Sequence, residues 1–135
     1  GKDMKLVIVE SPFAGRCDHV EEPELYSLQV AYHEKYARAC MRDCLLRGEA
    51  PYASHLLYTQ PGVLSDLDKE ERKLGIEAGL CWGKMAEASV IYADIGVTRG
   101  MTQGLDRAIR EGRHHEMRHL GAGWEVNYPH ELPTC

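Results

Sequence analysis

The sequence predicts one three-layer α/β domain over residues 1–135, Rossmann-like in layout, with a parallel sheet of four to five strands between helices. Met4–Glu10 and Ser89–Asp94 are short, almost unbroken apolar runs, as expected of strands covered on both faces. Segments with helical spacing separate the strand candidates, so the order reads β-α-β-α-β-α-β. A length of 135 residues suits one domain and allows a hydrophobic core without disulfide support.

The first strand, Met4–Glu10, runs into the turn residues Ser11-Pro12-Phe13-Ala14-Gly15, and Arg16 to Glu24 reads as a charged loop. A long helix follows from about Glu24 to Arg47, with Ala37, Cys40, Met41, Cys44 and Leu45 as its apolar stripe and Gly48 as its stop. The second strand is placed at Pro51–Leu56 and a loop at Leu57–Ser65. Asp66 is expected to cap the next helix, whose buried stripe is Leu74, Ala78, Cys81, Met85 and Ala86. The same helix carries Gly75, Gly79 and Gly83 at intervals of four. Each glycine costs about 1 kcal/mol against alanine there, so the spacing predicts close approach of another helix, within the fold or across a dimer. The third strand is Ser89–Asp94. The third helix is Gly100–Glu111, with Met101, Leu105, Ala108 and Ile109 inward and Gly112 as terminator. A short last strand is placed near His115–Arg118, and the Gly- and Pro-rich tail from Gly121 is given no element.

The net charge of −5 argues against duplex nucleic acid as the main partner, since a phosphate backbone needs a basic face; a mononucleotide remains open. Five cysteines without a CxxC pair read as reduced thiols in a cytoplasmic protein. Met4–Val9 is too short for a signal-peptide core and no run has membrane-spanning length, so no membrane partner is expected. His115 and His119 have i,i+4 spacing but lack an accompanying ligand motif, and no metal or cofactor is expected.

Parallel α/β sheets bind ligands beyond the carboxyl ends of their strands. That rule nominates the loops Ser11–Arg16, His55–Gly62 and Asp94–Met101. In the first, Ser11, Pro12, Phe13, Gly15 and Arg16 are candidate ligand contacts: Ser11 offers a hydroxyl and Gly15 permits close approach. In the third, Asp94 can accept ribose hydroxyls or act as a base. Thr98, Arg99, Gly100 and Met101 open a helix whose free amides suit an anion. The plainer alternatives are a strand-to-helix turn in the first loop, and in the third a Thr98 helix cap with Asp94 as a turn residue. Glu77 lies off the apolar stripe of its helix, where a solvated charge is the ordinary role.

Val7-Ile-Val-Glu-Ser-Pro-Phe-Ala-Gly15 resembles the opening strand and "(A/S)GPF" loop of the nucleoside 2-deoxyribosyltransferase-like superfamily, especially its small phage and bacterial members. Val90-Ile-Tyr-Ala-Asp94 resembles that family's aspartate-ending strand, and Gly100–Ala108, with Arg110-Glu111-Gly112, resembles its "G-(T/S)-x-x-E-(I/L)-G-x-A…G" helix. The resemblance implies a nucleoside or nucleotide ligand and a homo-oligomer. Two departures stand out. The first-loop glycine is Ser11 here, and the position of the family's nucleophilic glutamate is Gly104, with Gln103 beside it; neither can attack an anomeric carbon as a carboxylate does. The expectation is therefore a protein that binds, sequesters or senses a nucleotide. The alternative is an active deoxyribosyltransferase or nucleotide N-glycosidase, in which Asp94 holds the sugar and Glu77 or Glu10 serves as nucleophile or base.

Overall fold

The computed structural model describes residues 3–13, 22–65 and 67–127. Its elements are β1 (Lys5–Glu10), α1 (Pro23–Leu46), β2 (Glu49–Tyr52), α2 (Ser54–Leu57), α3 (Lys69–Gly83), β3 (Ala88–Tyr92), α4 (Arg99–Arg110), β4 (His114–Arg118) and α5 (Trp124–Asn127). Among the described residues the strands form one four-stranded sheet in the order β2-β1-β3-β4. Every pairing is parallel: Lys5 lies opposite Glu49, Val7 opposite Ala88, and Ala88 opposite His114. The α/β class and the parallel sheet between helices are those the apolar runs predict.

Alternation along β1 divides the two faces. Val7 and Val9 pack with Ala88, Val90 and Tyr92 under Tyr36, Ala39 and Cys40 of α1, and Trp124 closes that core with its ring edge-on to Tyr36 at 5.1 Å. Ile8 and Glu10 face the other way, toward α3 and α4: Ile8 lies against Gly83 and Glu10 against Gly104. Helices thus cover both faces, as parallel strands require. The arginine ending β4, Arg118, is buried and binds both carboxylate oxygens of Glu49 at 2.8 and 2.6 Å, holding that carboxyl below its usual range.

The local signals for α1 and α4 are clear. Proline at the start of α1 suits a position whose amide has no helical partner, and Gly48, with φ +83°, follows its end. Thr98 caps α4, its hydroxyl accepting from the Met101 amide at 3.3 Å, and Gly112, with φ +67°, follows that helix. Leu45 and Ile109, expected inward, lie at the exposed edges of their stripes.

Three expectations need correction. The second strand does not reach Leu56: it ends at Tyr52, paired with Ile8, and Ser54–Leu57 turns into a short helix. Ser-His-Leu-Leu contains no β-branched residue to hold it extended. The cap of α3 is Asp68, which accepts from the amides of Glu70 at 2.9 Å and Glu71 at 3.1 Å; Asp66 lies outside the described residues. The third correction is the orientation of α3. Leu74, Trp82 and Met85 are 56%, 59% and 69% exposed, and Cys81 is exposed as well. The glycine face points inward instead. A Cβ on Gly79 would stand 3.1 Å from Ser54, and one on Gly83 would stand 3.0 Å from Ile8. The helix lies too close to α2 and the sheet for any larger side chain, so steric fit overrides the apolar period. The glycines thus serve close approach within the fold.

Candidate functional site

The chain passes from β1 to β2 on one side and then returns to β3 on the other. The strand order therefore reverses between β1 and β3, and open parallel sheets hold their ligands above such a point. The residues there are Glu10 and Ser11 after β1, and Ala93 and Asp94 after β3.

Glu10 is the last residue of β1 and lies opposite Ile91 of β3. Its carboxyl fills the space in front of Gly104: a Cβ on that glycine would overlap the carboxyl atoms. A bare backbone on α4 thus makes room for a carboxyl delivered by β1. Among the described residues no donor hydrogen-bonds to it. Burial pushes its pKa up to about 7, against the lowering influence of Arg113. A carboxyl poised there is close to half ionised at neutral pH, the condition for a group that both gives and takes a proton or attacks as an anion.

Ser11 is buried, and its Oγ lies 3.0 Å from Nε2 of His55 in α2. The His55 ring also meets Phe13 edge-on at 5.3 Å. On the α1 side, His33 Nδ1 donates to the Phe13 carbonyl at 2.9 Å. Burial, with His33 acting in the same direction, lowers the His55 pKa to about 4, so its imidazole is neutral at pH 7. A neutral imidazole has one donor and one acceptor nitrogen and can fix the direction of the Ser11 hydroxyl. The nominated loop begins at His55, but the sequence reading did not single that residue out. Its one signal was a histidine close to the carboxyl end of a strand.

Asp94 has a different environment. Oδ1 accepts from the Tyr36 hydroxyl and from the Leu120 amide at 2.9 Å, and Oδ2 accepts from the Gly121 amide at 2.9 Å. The Tyr36 oxygen in turn accepts from the Asp94 amide at 2.8 Å. Burial alone would raise the pKa, but these donors outweigh it and hold the carboxyl below its usual value. Asp94 thereby ties the end of β3 to α1 and to the chain after β4.

The other candidates are spread more widely. Pro12 is buried beside Ser11, and Gly15 and Arg16 lie outside the described residues. Thr98 and Met101 engage each other: the Met101 sulfur accepts from the Thr98 amide at 3.3 Å while the Thr98 hydroxyl caps Met101. Arg99 and Gly100 are exposed in the first turn of α4. Glu77 is exposed on α3, about 160° round the helix from the inward-facing Gly79. A cavity of about 80 Å³ between α2 and α3 is lined by Ser54, His55, Tyr58, Thr59, Gly75 and Ile76 among others. It is well below the roughly 300–1,000 Å³ that a drug-sized ligand occupies.

Among the described residues no helix is long and apolar enough to cross a membrane, and no group of three or more His, Cys, Asp or Glu side chains is arranged to hold a metal ion. The chain matches the model of a family described as a domain of unknown function, DUF7768, over residues 5–118, and it belongs to that family. The match runs from the first residue of β1 to the last residue of β4. No curated protein and no solved structure matches the chain.

Proposed function

We propose that this DUF7768 member binds a nucleoside or nucleotide above the carboxyl ends of β1 and β3, and that Glu10 acts on its N-glycosidic bond. The observation that carries this reading is the Glu10 carboxyl lodged against Gly104 with its pKa raised to about 7. In the deoxyribosyltransferase-like superfamily that the sequence resembles, the helix position matching Gly104 bears the nucleophilic glutamate. Here the glutamate comes from β1 and the helix supplies the space. Ionised Glu10 would attack the anomeric carbon as the bond to the base breaks; the base would leave with the electron pair and take a proton. Water or a second base would then release the sugar. Ser11, oriented by neutral His55, would contact a ligand oxygen, and Phe13 would offer a ring face. Asp94 would hold the end of β3 in place through its three donors. The reading includes a cytoplasmic location, where nucleotides are available and free thiols such as Cys40, Cys44 and Cys81 persist.

A second reading, binding without turnover, is favoured by one observation: Asp94, the natural partner for ribose hydroxyls, already serves three protein donors. Incubation with a panel of nucleosides and nucleotides, followed by chromatography of the free base, separates the two. Glycosidic chemistry predicts base release that Glu10→Gln abolishes and that the double variant Glu10→Gly/Gly104→Glu partly restores. Calorimetric binding without base release would leave the sequestering role, and no binding to any member of the panel would end both.

A further inference from the structure

The outward face of α3 is the largest departure from the sequence pattern. Leu74, Cys81 and Trp82 on α3, with Ala78 between them, and Met85 in the turn that follows it, form one apolar stripe. Surface apolar residues are ordinarily scattered, whereas a contiguous stripe marks an interaction surface. The helix cannot roll to bury it, because the glycine face is already in contact with Ser54 and Ile8. Trp82 is held on its inner side by Tyr52, ring centroids 5.9 Å apart, so its outer side stays open.

We propose that the occupant of this face is a second copy of the chain, paired antiparallel through α3 about a two-fold axis. The pattern along the helix is self-complementary. The register that sets Leu74 against Met85 of the other copy also sets Ala78 against Cys81, with Trp82 on one flank, and brings Glu77 and Lys84 together on the other. In a two-fold contact each of these pairings occurs twice, so the apolar stripe is covered along its length and opposite charges meet on its flank. A one-turn slip of the helix would bring Glu77 near the other Glu77 and would leave Met85 without a partner. Cys81 falls beside the axis, where the two copies of it approach each other. This surface does not include Glu10, which packs against Gly104 of α4, so the proposal stands or falls independently of the glycosidic reading.

Sedimentation of the full chain tests it. The expected species has twice the 15.2 kDa chain mass. Leu74→Glu/Trp82→Glu should give a monomer with an unchanged circular dichroism spectrum, because both side chains are exposed in the single copy. Glu77→Lys alone should weaken the dimer tenfold or more, an effect on the order of one charge repulsion made twice. Glu77→Lys/Lys84→Glu should recover it. In a Cys17→Ser/Cys135→Ser background, a short bismaleimide should link the chains through Cys81. A wild-type chain that stays monomeric at about 100 µM, where even a weak symmetric contact is populated, overturns the proposal. So does a dimer that survives the Leu74→Glu/Trp82→Glu change, or a charge swap that fails to restore pairing.

Discussion

Glu10 and Asp94 end neighbouring strands of one sheet, yet their surroundings are opposite. Glu10 turns toward α4 and sits against bare backbone at Gly104, with no hydrogen-bond donor among the described residues. Asp94 turns toward α1 and collects a tyrosine hydroxyl and two amides. Burial raises the first to about 7, while donors hold the second below its usual value. Two carboxyls whose pKa values are pushed apart take on separate tasks. Asp94 is a permanent anion that braces the structure. Glu10 is kept in an environment that disfavours its charge, which is what the proposed reaction asks of it.

The largest expected effect of this contrast is on turnover. Glu10→Gln should lower base release by about a thousandfold or more, as loss of a nucleophile or of an essential base does. Asp94→Ala should instead act first on stability. It strands the Leu120 and Gly121 amides and the Tyr36 hydroxyl, at a cost of about 2–4 kcal/mol read from chemical denaturation. If the two variants exchanged these phenotypes, the assignment of roles would be reversed.

Stability against pH sharpens the comparison. A carboxyl raised in the folded state holds its proton there after the unfolded chain has lost it. Stability attributable to Glu10 therefore falls as pH rises from the ordinary glutamate value of 4.5 to about 7. Glu10→Gln should remove that loss and leave the variant more stable than wild type at pH 8, by roughly 3 kcal/mol, with little difference at pH 4. Asp94 works in the other direction: its contribution is present above the ordinary aspartate value of 3.8 and is lost as pH falls through its lowered folded value. Denaturation curves at pH 4, 6 and 8 separate the two slopes.

The smallest effect probes the packing itself. Gly104→Ala should destabilise the wild-type protein by about 1–3 kcal/mol, because the new methyl meets the Glu10 carboxyl. In a Glu10→Ala background the same change should be neutral or stabilise by up to about 1 kcal/mol, the helix preference of alanine over glycine. A double-mutant cycle measures this coupling. Additive effects would mean that the carboxyl does not rest there.

Much of the frame was legible in the sequence, because its signals were local. The unbroken apolar runs of β1 and β3 marked a sheet covered on both sides, and Gly48, Thr98 and Gly112 marked helix ends that the backbone uses. Three carboxylates, Glu10, Glu77 and Asp94, stood out as candidate catalytic groups. Choosing among them requires knowing which glycine faces which strand, and Glu10 and Gly104 meet only through the fold. The same applies to α3: its apolar period pointed one face inward, but the space beside Ser54 and Ile8 admits only the glycines. His55 escaped notice because its importance comes from burial against Ser11 and Phe13, which a histidine in a loop does not announce.

The most direct measurement is carboxyl titration by carbon-13 NMR with glutamate and aspartate side chains labelled and Glu10→Gln and Asp94→Asn used for assignment. The expected result is a Glu10 midpoint near 7, well above the ordinary glutamate value of 4.5, and an Asp94 carboxyl that stays ionised below 3.8. A Glu10 midpoint at the ordinary glutamate value, or an Asp94 midpoint above its own, would contradict the division of labour between the two strand ends.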